Sequence, residues 1–412
     1  MKLFSLPLEG GGLGRGCCSA RLLATLILTL PLAACSLLGP APGAFVTAAA
    51  VPATAAGGAA VLLPDGRVAA VGAFGLAIYD PLADRWQARA GPPGGGFPTR
   101  LLALPDGTLF MLRAFQSGPD QRALRYRPAD DRWSLTRPML ERRKAPSVTL
   151  LEDRRVLVAG GLGDRDPNTP LTSAEIYDPS TDRWSPAANM LTRRYGQAAV
   201  LLEDGRVLIA GGNVSATVVL PAELFDPERV QWTGAGALQV QAFLPSAIRL
   251  RDGRVLLVAG LNFFAGGSSS GVEIYDPRAN GWSLAAPTPS QGLSSLALLG
   301  DGRVLLLKSQ PDRGLFRAEI FDPQTSSWSV TPALSGHPDT AVTLKDGRVF
   351  VTGAGAAWIY DPAASPPQPG QEGLGSPRLT LALAAIAALA ALLVLGQFVV
   401  TRTLERRRSR PV

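Results

Sequence analysis

Apolar and polar positions along residues 45–362 fall into a unit that keeps returning. In its clearest form, Leu201 to Trp232, an apolar run ends at Asp204-Gly205. A second run, Val207 to Ala210, closes on Gly211-Gly212. A polar loop then leads to Leu224-Phe225-Asp226-Pro227, and Trp232 stands six residues beyond that aspartate. Asp-Gly between two apolar runs predicts a hairpin, because the turn needs a positive φ that glycine supplies without strain. Asp-Pro ends a third strand and turns the chain into a fourth, which carries the tryptophan. One unit therefore predicts a four-stranded antiparallel meander.

The hairpin aspartate recurs at Asp65, Asp106, Asp153, Asp204, Asp252, Asp301 and Asp346. Glycine follows each of them except Asp153, where Arg154 stands instead. The third-strand signature recurs as Tyr79-Asp80-Pro81, Tyr126-Arg127-Pro128, Tyr177-Asp178-Pro179, Phe225-Asp226-Pro227, Tyr275-Asp276-Pro277, Phe321-Asp322-Pro323 and Tyr360-Asp361-Pro362. Trp86, Trp133, Trp184, Trp232, Trp282 and Trp328 follow the first six at constant spacing. What varies is the loop between the second and third strands. A period of this kind overrides the two or three domains that 412 residues would otherwise suggest.

The seven repeats resemble those of kelch proteins over roughly residues 45–362. That family carries Gly-Gly after the second strand, kept here at Gly160-Gly161 and Gly211-Gly212, with Tyr and Trp on the third and fourth strands. The resemblance implies an all-β, seven-bladed kelch-type β-propeller. The seventh repeat lacks a fourth strand, since Pro362 runs into AASPPQPGQ. In four repeats 20 residues separate the tryptophan from the next hairpin aspartate, and counting 20 back from Asp65 reaches Phe45. Ala44 to Val51 is therefore expected to supply the outer strand of the last blade, with Phe45 in the tryptophan's place. Closure of this kind hides two otherwise open strand edges.

Charge does not point to nucleic acid. Of 40 Lys+Arg and 33 Asp+Glu, residues 1–35 hold three and one, and residues 378–412 six and one, which leaves 31 of each between them. The basic excess belongs to the two ends, and a neutral body offers no footprint for DNA or RNA. Cys17, Cys18 and Cys35 all lie in the first 35 residues, so the body has no disulfide, thiolate ligand or cysteine nucleophile.

The ends read as membrane segments. Residues 1–35 form a signal peptide: Arg15 and Arg21 precede the apolar run Leu22 to Leu32, and Leu32-Ala33-Ala34-Cys35 resembles the bacterial lipobox, which implies lipidation of Cys35. Residues 36–44 are a tether and 363–377 a Pro/Gly-rich linker. Residues 378–401 are expected to be one C-terminal transmembrane helix, since Leu379 to Val400 is 22 residues without a charge. The tail 402–412, with Arg402, Arg406, Arg407, Arg408 and Arg410, is then cytoplasmic by the positive-inside rule, and the propeller extracytoplasmic.

Because successive strands are antiparallel, the tight Asp-Gly and Asp-Pro turns share one rim of the disc. The variable loops and the blade-to-blade crossovers share the other. Both chain ends leave from the tight-turn rim, so the variable-loop rim faces away from the membrane. It carries the candidate partner-binding residues Arg100, Arg143, Arg194, Asn213, Asn262, Phe263 and Phe264. Clustered arginines take carboxylates in forked geometry, and exposed aromatics anchor interfaces. The expected partner is a protein or a cell-surface glycan, with no cofactor.

Asp164-Arg165-Asp166-Pro167-Asn168 with Glu175 imitates the spacing of a calcium loop, but Thr169 sits where glycine is required. Glu175 also recurs as Glu223, Glu273 and Glu319, which ties it to the blade. Kelch relatives similar to galactose oxidase need two histidines, two tyrosines and a cysteine. With His337 as the one histidine that copper radical set cannot be assembled here. The competing reading is a carbohydrate-active enzyme with paired carboxylates at the mouth of the central channel.

Overall fold

The computed structural model describes residues 43–113, 122–163, 169–213, 218–262, 267–292, 294–308, 315–332, 334–353 and 355–364. They contain seven four-stranded antiparallel sheets and no helix. Blade 4 is Ala198–Leu201, Val207–Ala210, Pro221–Asp226 and Gln231–Ala237, which reproduces the meander expected of that repeat. Blade 7 takes Pro338–Thr343, Val349–Gly353 and Ala357–Asp361 from the end of the repeats and Ala44–Ala48 from their beginning. Phe45 pairs across from Tyr360, the register that Trp232 holds with Phe225 in blade 4. The outer strand is three residues shorter than expected and ends at Ala48.

The apolar core lies between blades rather than inside them. Each core cluster draws on two neighbours: Leu224 and Leu208 of blade 4 pack with Val255 and Tyr275 of blade 5, for example. The ring-closing cluster joins Val342, Leu344 and Phe350 of blade 7 to Val68 and Tyr79 of blade 1. There Tyr79 stacks on Phe350 with ring centroids 4.3 Å apart. Second strands are buried along their whole length (Val207–Ala210, Val255–Val258), because both faces meet a neighbour. That accounts for continuous apolar runs where a half-exposed strand would alternate.

Outer strands are fixed by polar bonds to the preceding blade. Trp86 Nε1 donates to Ala49 O (2.8 Å) and Trp232 Nε1 to Ala188 O (2.8 Å), and the other repeats repeat the bond. Tyr79 Oη donates to Asp84 Oδ1 (2.6 Å), and the same carboxylate accepts the Ala49 amide (2.9 Å). Asp84, Asp131, Asp182 and Asn280 all take positive φ at this turn and all accept a tyrosine hydroxyl. In the two repeats with phenylalanine at the tyrosine position, Val230 and Ser326 stand there instead. The residue at the turn thus follows the hydrogen-bonding need of the ring beside it.

The leader with Cys35, the linker beyond Ala364 and the apolar segment 378–401 lie outside the described residues. Among the described residues no helix is long and apolar enough to cross a membrane.

The third hairpin carries a visible cost. Gly205 turns at φ 80°, and Arg154, in the same place one blade earlier, is held at φ 71° with its side chain exposed. A residue with a Cβ costs about 1–2 kcal/mol in this region. Arg154→Gly is expected to stabilise the propeller by about 1 kcal/mol, read as a raised midpoint in urea at unchanged slope; an unchanged or lowered midpoint would show that the turn is not strained.

Candidate functional site

Crossovers and variable loops do share a rim. Lys144, on the crossover into blade 3, bridges to Leu162 of that blade's variable loop, and Tyr195 bridges to Asn213 in the same way. The Gly-Gly pair lies beneath this junction. A Cβ on Gly160 would stand 2.5 Å from Arg194 O, and one on Gly161 2.8 Å from Lys144 O.

Several expected contact residues prove to be internal. The Arg143 side chain is 1 % exposed and Arg194 is 0 % exposed, so neither is available to a partner. Arg194 Nη2 meets Glu223 Oε1 at 2.6 Å and also donates to Pro221 O (2.7 Å), while Nη1 donates to Gly211 O (3.0 Å). Arg143 repeats the arrangement with Glu175 (2.9 Å), Ser173 O and Gly160 O. A guanidinium reaches this depth because the glycine pair leaves room, and it stays charged there because a carboxylate and two carbonyls accept its protons. Asn213 is buried too, its backbone paired with Tyr195 and its Oδ1 without a partner.

Arg100 lies in the first strand of blade 2 (Pro98–Ala103); part of the residue is exposed, but burial of its guanidinium lowers its pKa from the usual value. Asn262 pairs with Gly267 in a two-residue ladder. Phe263 and Phe264 fall outside the described residues.

The buried glutamates position the crossovers. Glu175 accepts the amides of Leu140 (2.6 Å) and Glu141 (3.0 Å), and Glu223 those of Leu191 (2.6 Å) and Thr192 (2.9 Å). Each clamp holds a leucine outward: Leu140 is 58 % and Leu191 63 % exposed. On the same rim Phe74 is 79 % and Phe97 50 % exposed. Phe74 sits against Gly95, which turns at φ 66° within the Gly94-Gly95-Gly96 run. Two isolated phenylalanines and two leucines inside longer motifs gave little signal in the sequence. What distinguishes them is exposure, which only the packing reveals.

Blade 6 replaces the arginine with a lysine from the opposite direction. Lys308 occupies the first Gly-Gly position, 1 % exposed, and donates to Gly292 O (3.3 Å). Burial lowers its pKa to about 8, against the opposing pull of Glu319. In blade 5 the arginine position is Ala242 and the lysine position Ala259, both buried. Glu273 still accepts the Gln239 (3.0 Å) and Val240 (2.8 Å) amides, but no ion pair to it is recorded among the described residues, and burial raises its pKa.

The tight-turn rim has cavities of about 430 Å³ between blades 3 and 4 and between blades 4 and 5. Their aspartates are already engaged: Arg206 Nε and Nη2 hold Asp204 Oδ2 at 2.9 and 2.6 Å, and Arg254 holds Asp252 in the same way. These bonds keep both carboxyls below their ordinary pKa although burial opposes them. A glycosidase needs one carboxyl raised enough to donate a proton, the opposite condition. The same arginines also tie neighbouring blades, as Arg254 does to Pro323 O (3.3 Å). In blade 2 Thr108 stands in that arginine's place, and Arg125 makes the equivalent bond to Pro179 O (3.0 Å).

A ring of seven such sheets, closed by the chain's own first strand and carrying Gly-Gly, Tyr and Trp in register, defines a β-propeller of the kelch type. Comparison with known proteins agrees, and this chain is a kelch-repeat propeller. The family profile described as Kelch motif matches residues 153–191. Kelch-like protein 36 of Bos taurus is 24 % identical over 242 residues, 57 % of this chain and 30 % of the relative. Kelch-like protein 25 of Xenopus tropicalis is 27 % identical over 207 residues, 48 % of this chain and 35 % of the relative. The match thus spans about a third of the length of these curated relatives. Among solved structures, a streptogramin B lyase aligns with TM-score 0.59 at 10 % identity, over 78 % of this chain and 98 % of that one. A copper-bound fungal alcohol oxidase of the AA5 family aligns with TM-score 0.56 at 16 % identity, over 80 % and 77 %. At such identities the likeness is one of fold. His337 is the one histidine in the sequence, and no cysteine follows Cys35.

The clamps differ in what neutralisation does to them. Glu223→Gln leaves Arg194 buried without its counter-charge and is expected to cost about 3–5 kcal/mol. Glu273 has a raised folded pKa, so its favourable contribution is present at low pH and is lost as pH rises through that value. Glu273→Gln is therefore expected to be neutral or stabilising at pH 7 and to lose that advantage on acidification, as read by thermal unfolding at pH 5 and 7. Equal destabilisation by both substitutions would show that the arginine is not what separates them.

Proposed function

We propose that this protein is a non-catalytic binding module that engages a partner protein through its variable-loop rim, held outside the cell membrane by its two ends. The observation that carries the reading is the pair of outward leucines, Leu140 and Leu191, on crossovers fixed by buried carboxylates. Exposed apolar side chains on a rigid backbone lose little freedom on binding, which is what an interface anchor requires. The kelch relatives support a protein-binding scaffold. The engaged carboxylates of the opposite rim speak against a hydrolytic site there.

Anchoring is supported by the way the described chain ends. Ala44 pairs with Asp361, so the first and last strands of the ring end side by side, on the rim opposite the leucines.

Two measurements test these halves. Leu140→Asp with Leu191→Asp in the full-length protein is expected to lower recovery of a cross-linked partner at least about tenfold with unchanged thermal stability; full recovery would refute the rim assignment. Fractionation of cells is expected to find the wild type in the membrane and to show labelled fatty acid on it that Cys35→Ser abolishes. A wild type found entirely in the soluble fraction would overturn the anchoring.

A further inference from the structure

The outer strand of blade 7, Ala44–Ala48, is tied differently at its two ends. Beyond its far end Ala49 is held to blade 1 twice: Trp86 Nε1 donates to its carbonyl (2.8 Å) and Asp84 Oδ1 accepts its amide (2.9 Å). At the near end the bonds that other outer strands make to the preceding blade are missing. Phe45 takes the tryptophan's place and has no N–H to donate. Pro332 follows Trp328 by four residues, as Ala90 follows Trp86, and it has no amide to offer. Gly43 stands two residues before Phe45, in the place of Asp84, Asp131 and Asp182, and brings no side-chain acceptor. The Tyr360 hydroxyl is therefore fully buried without a hydrogen-bond partner, whereas those of Tyr79, Tyr126, Tyr177 and Tyr275 each have one. Burial raises its pKa, against the charge of Arg303 and the nearby Gly43 amide. What holds the strand is its ladder with Ala357–Asp361 and the contacts of the Phe45 ring with Tyr360 (4.9 Å) and Phe316 (6.0 Å). Val46 is 58 % exposed, and Ala44 and Ala48 have little apolar surface to bury.

We infer that Ala44–Ala48 is a strap hinged at Ala49, which lifts from Ala357–Asp361 at its Ala44 end while the rest of the ring stays closed. Lifting breaks the strand ladder and frees one phenylalanine, but it also hydrates the Tyr360 hydroxyl, which has no partner while the strap is shut. The ring-closing contact survives, because Val342, Leu344 and Phe350 of the inner strands still pack on Val68 and Tyr79 of blade 1. The lifted strap uncovers Tyr360, Phe316 and the backbone edge of Ala357–Asp361. Since Ala44 lies across from Asp361, tension between the chain before Gly43 and the chain after Pro362 would part the pairs one at a time from that end. The seam thus yields under load by unzipping one strand, without shearing a blade.

Hydrogen–deuterium exchange of the full-length protein, read residue by residue, tests the strap. The amides of Phe45–Ala48 are expected to exchange at least about tenfold faster than those of the outer strands Arg132–Pro138, Arg183–Ala187 and Gln231–Ala237. Protection should rise toward Ala48 and be retained in Val349–Gly353. Tyr360→Phe removes the hydroxyl that closure leaves unsatisfied and is expected to slow exchange of the strap about fivefold. Phe45→Trp returns the missing donor and should slow it as well. Trp86→Phe removes a pin at Ala49 and should level the gradient along the strap. Thermal unfolding shows whether the larger indole is accommodated at position 45; where it is not, Tyr360→Phe decides. Equal rates in all seven outer strands, exchange of the strap only together with Val349–Gly353, or a strap unchanged or faster in Tyr360→Phe would each overturn the inference.

Discussion

Apolar surface in this propeller is buried between neighbours, and no blade has an interior of its own. Both faces of every second strand need an adjacent sheet, so each blade is stable only as a member of the ring. At roughly 1.5–3 kcal/mol for each large apolar side chain fully buried, the closing interface is worth several kcal/mol, with Val68, Tyr79, Leu344 and Phe350 among its members. A domain's whole stability is about 5–15 kcal/mol. Closure of the ring is therefore a condition of folding, and it brings the first and last strands of the propeller, Ala44–Ala48 and Ala357–Asp361, side by side.

The same constraint explains the polar work at the rims. A ring of sheets leaves turn amides, carbonyls and strand ends at every blade junction, and each must be satisfied or hydrated. Tyrosine and tryptophan serve the outer edge through the Tyr79–Asp84 and Trp86–Ala49 bonds. The Asp-Gly-Arg turns serve the inner edge, and where Thr108 interrupts the series Arg125 reaches the equivalent carbonyl. Buried Arg-Glu pairs serve the crossovers. What is conserved from blade to blade is the satisfied group, while the residue that satisfies it changes.

Charges recruited for this work are lost to the surface, and that shapes the binding face. Arg143 and Arg194 look like surface cations in a polar stretch, yet they are the most enclosed of their kind. Their glutamates disappear with them, so these buried pairs add no net charge to the rim. Function on such a rim depends on the difference between the residues present and the residues still exposed.

The sequence by itself determined the repeat, the order of its strands and the strand swap that closes the ring. Hairpin glycines, Asp-Pro turns and the 20-residue step to Phe45 are local or periodic constraints, and they act through backbone geometry and spacing. Only the tertiary structure decided which polar residues face a partner. Arg143 and Arg142 are neighbours with the same propensities. One is drawn inward because Gly160 and Glu175, far away in the chain, make a cavity of the right size and charge. Exposure of Phe74, Phe97, Leu140 and Leu191 is likewise a consequence of what other blades leave uncovered, and no window of sequence contains that information.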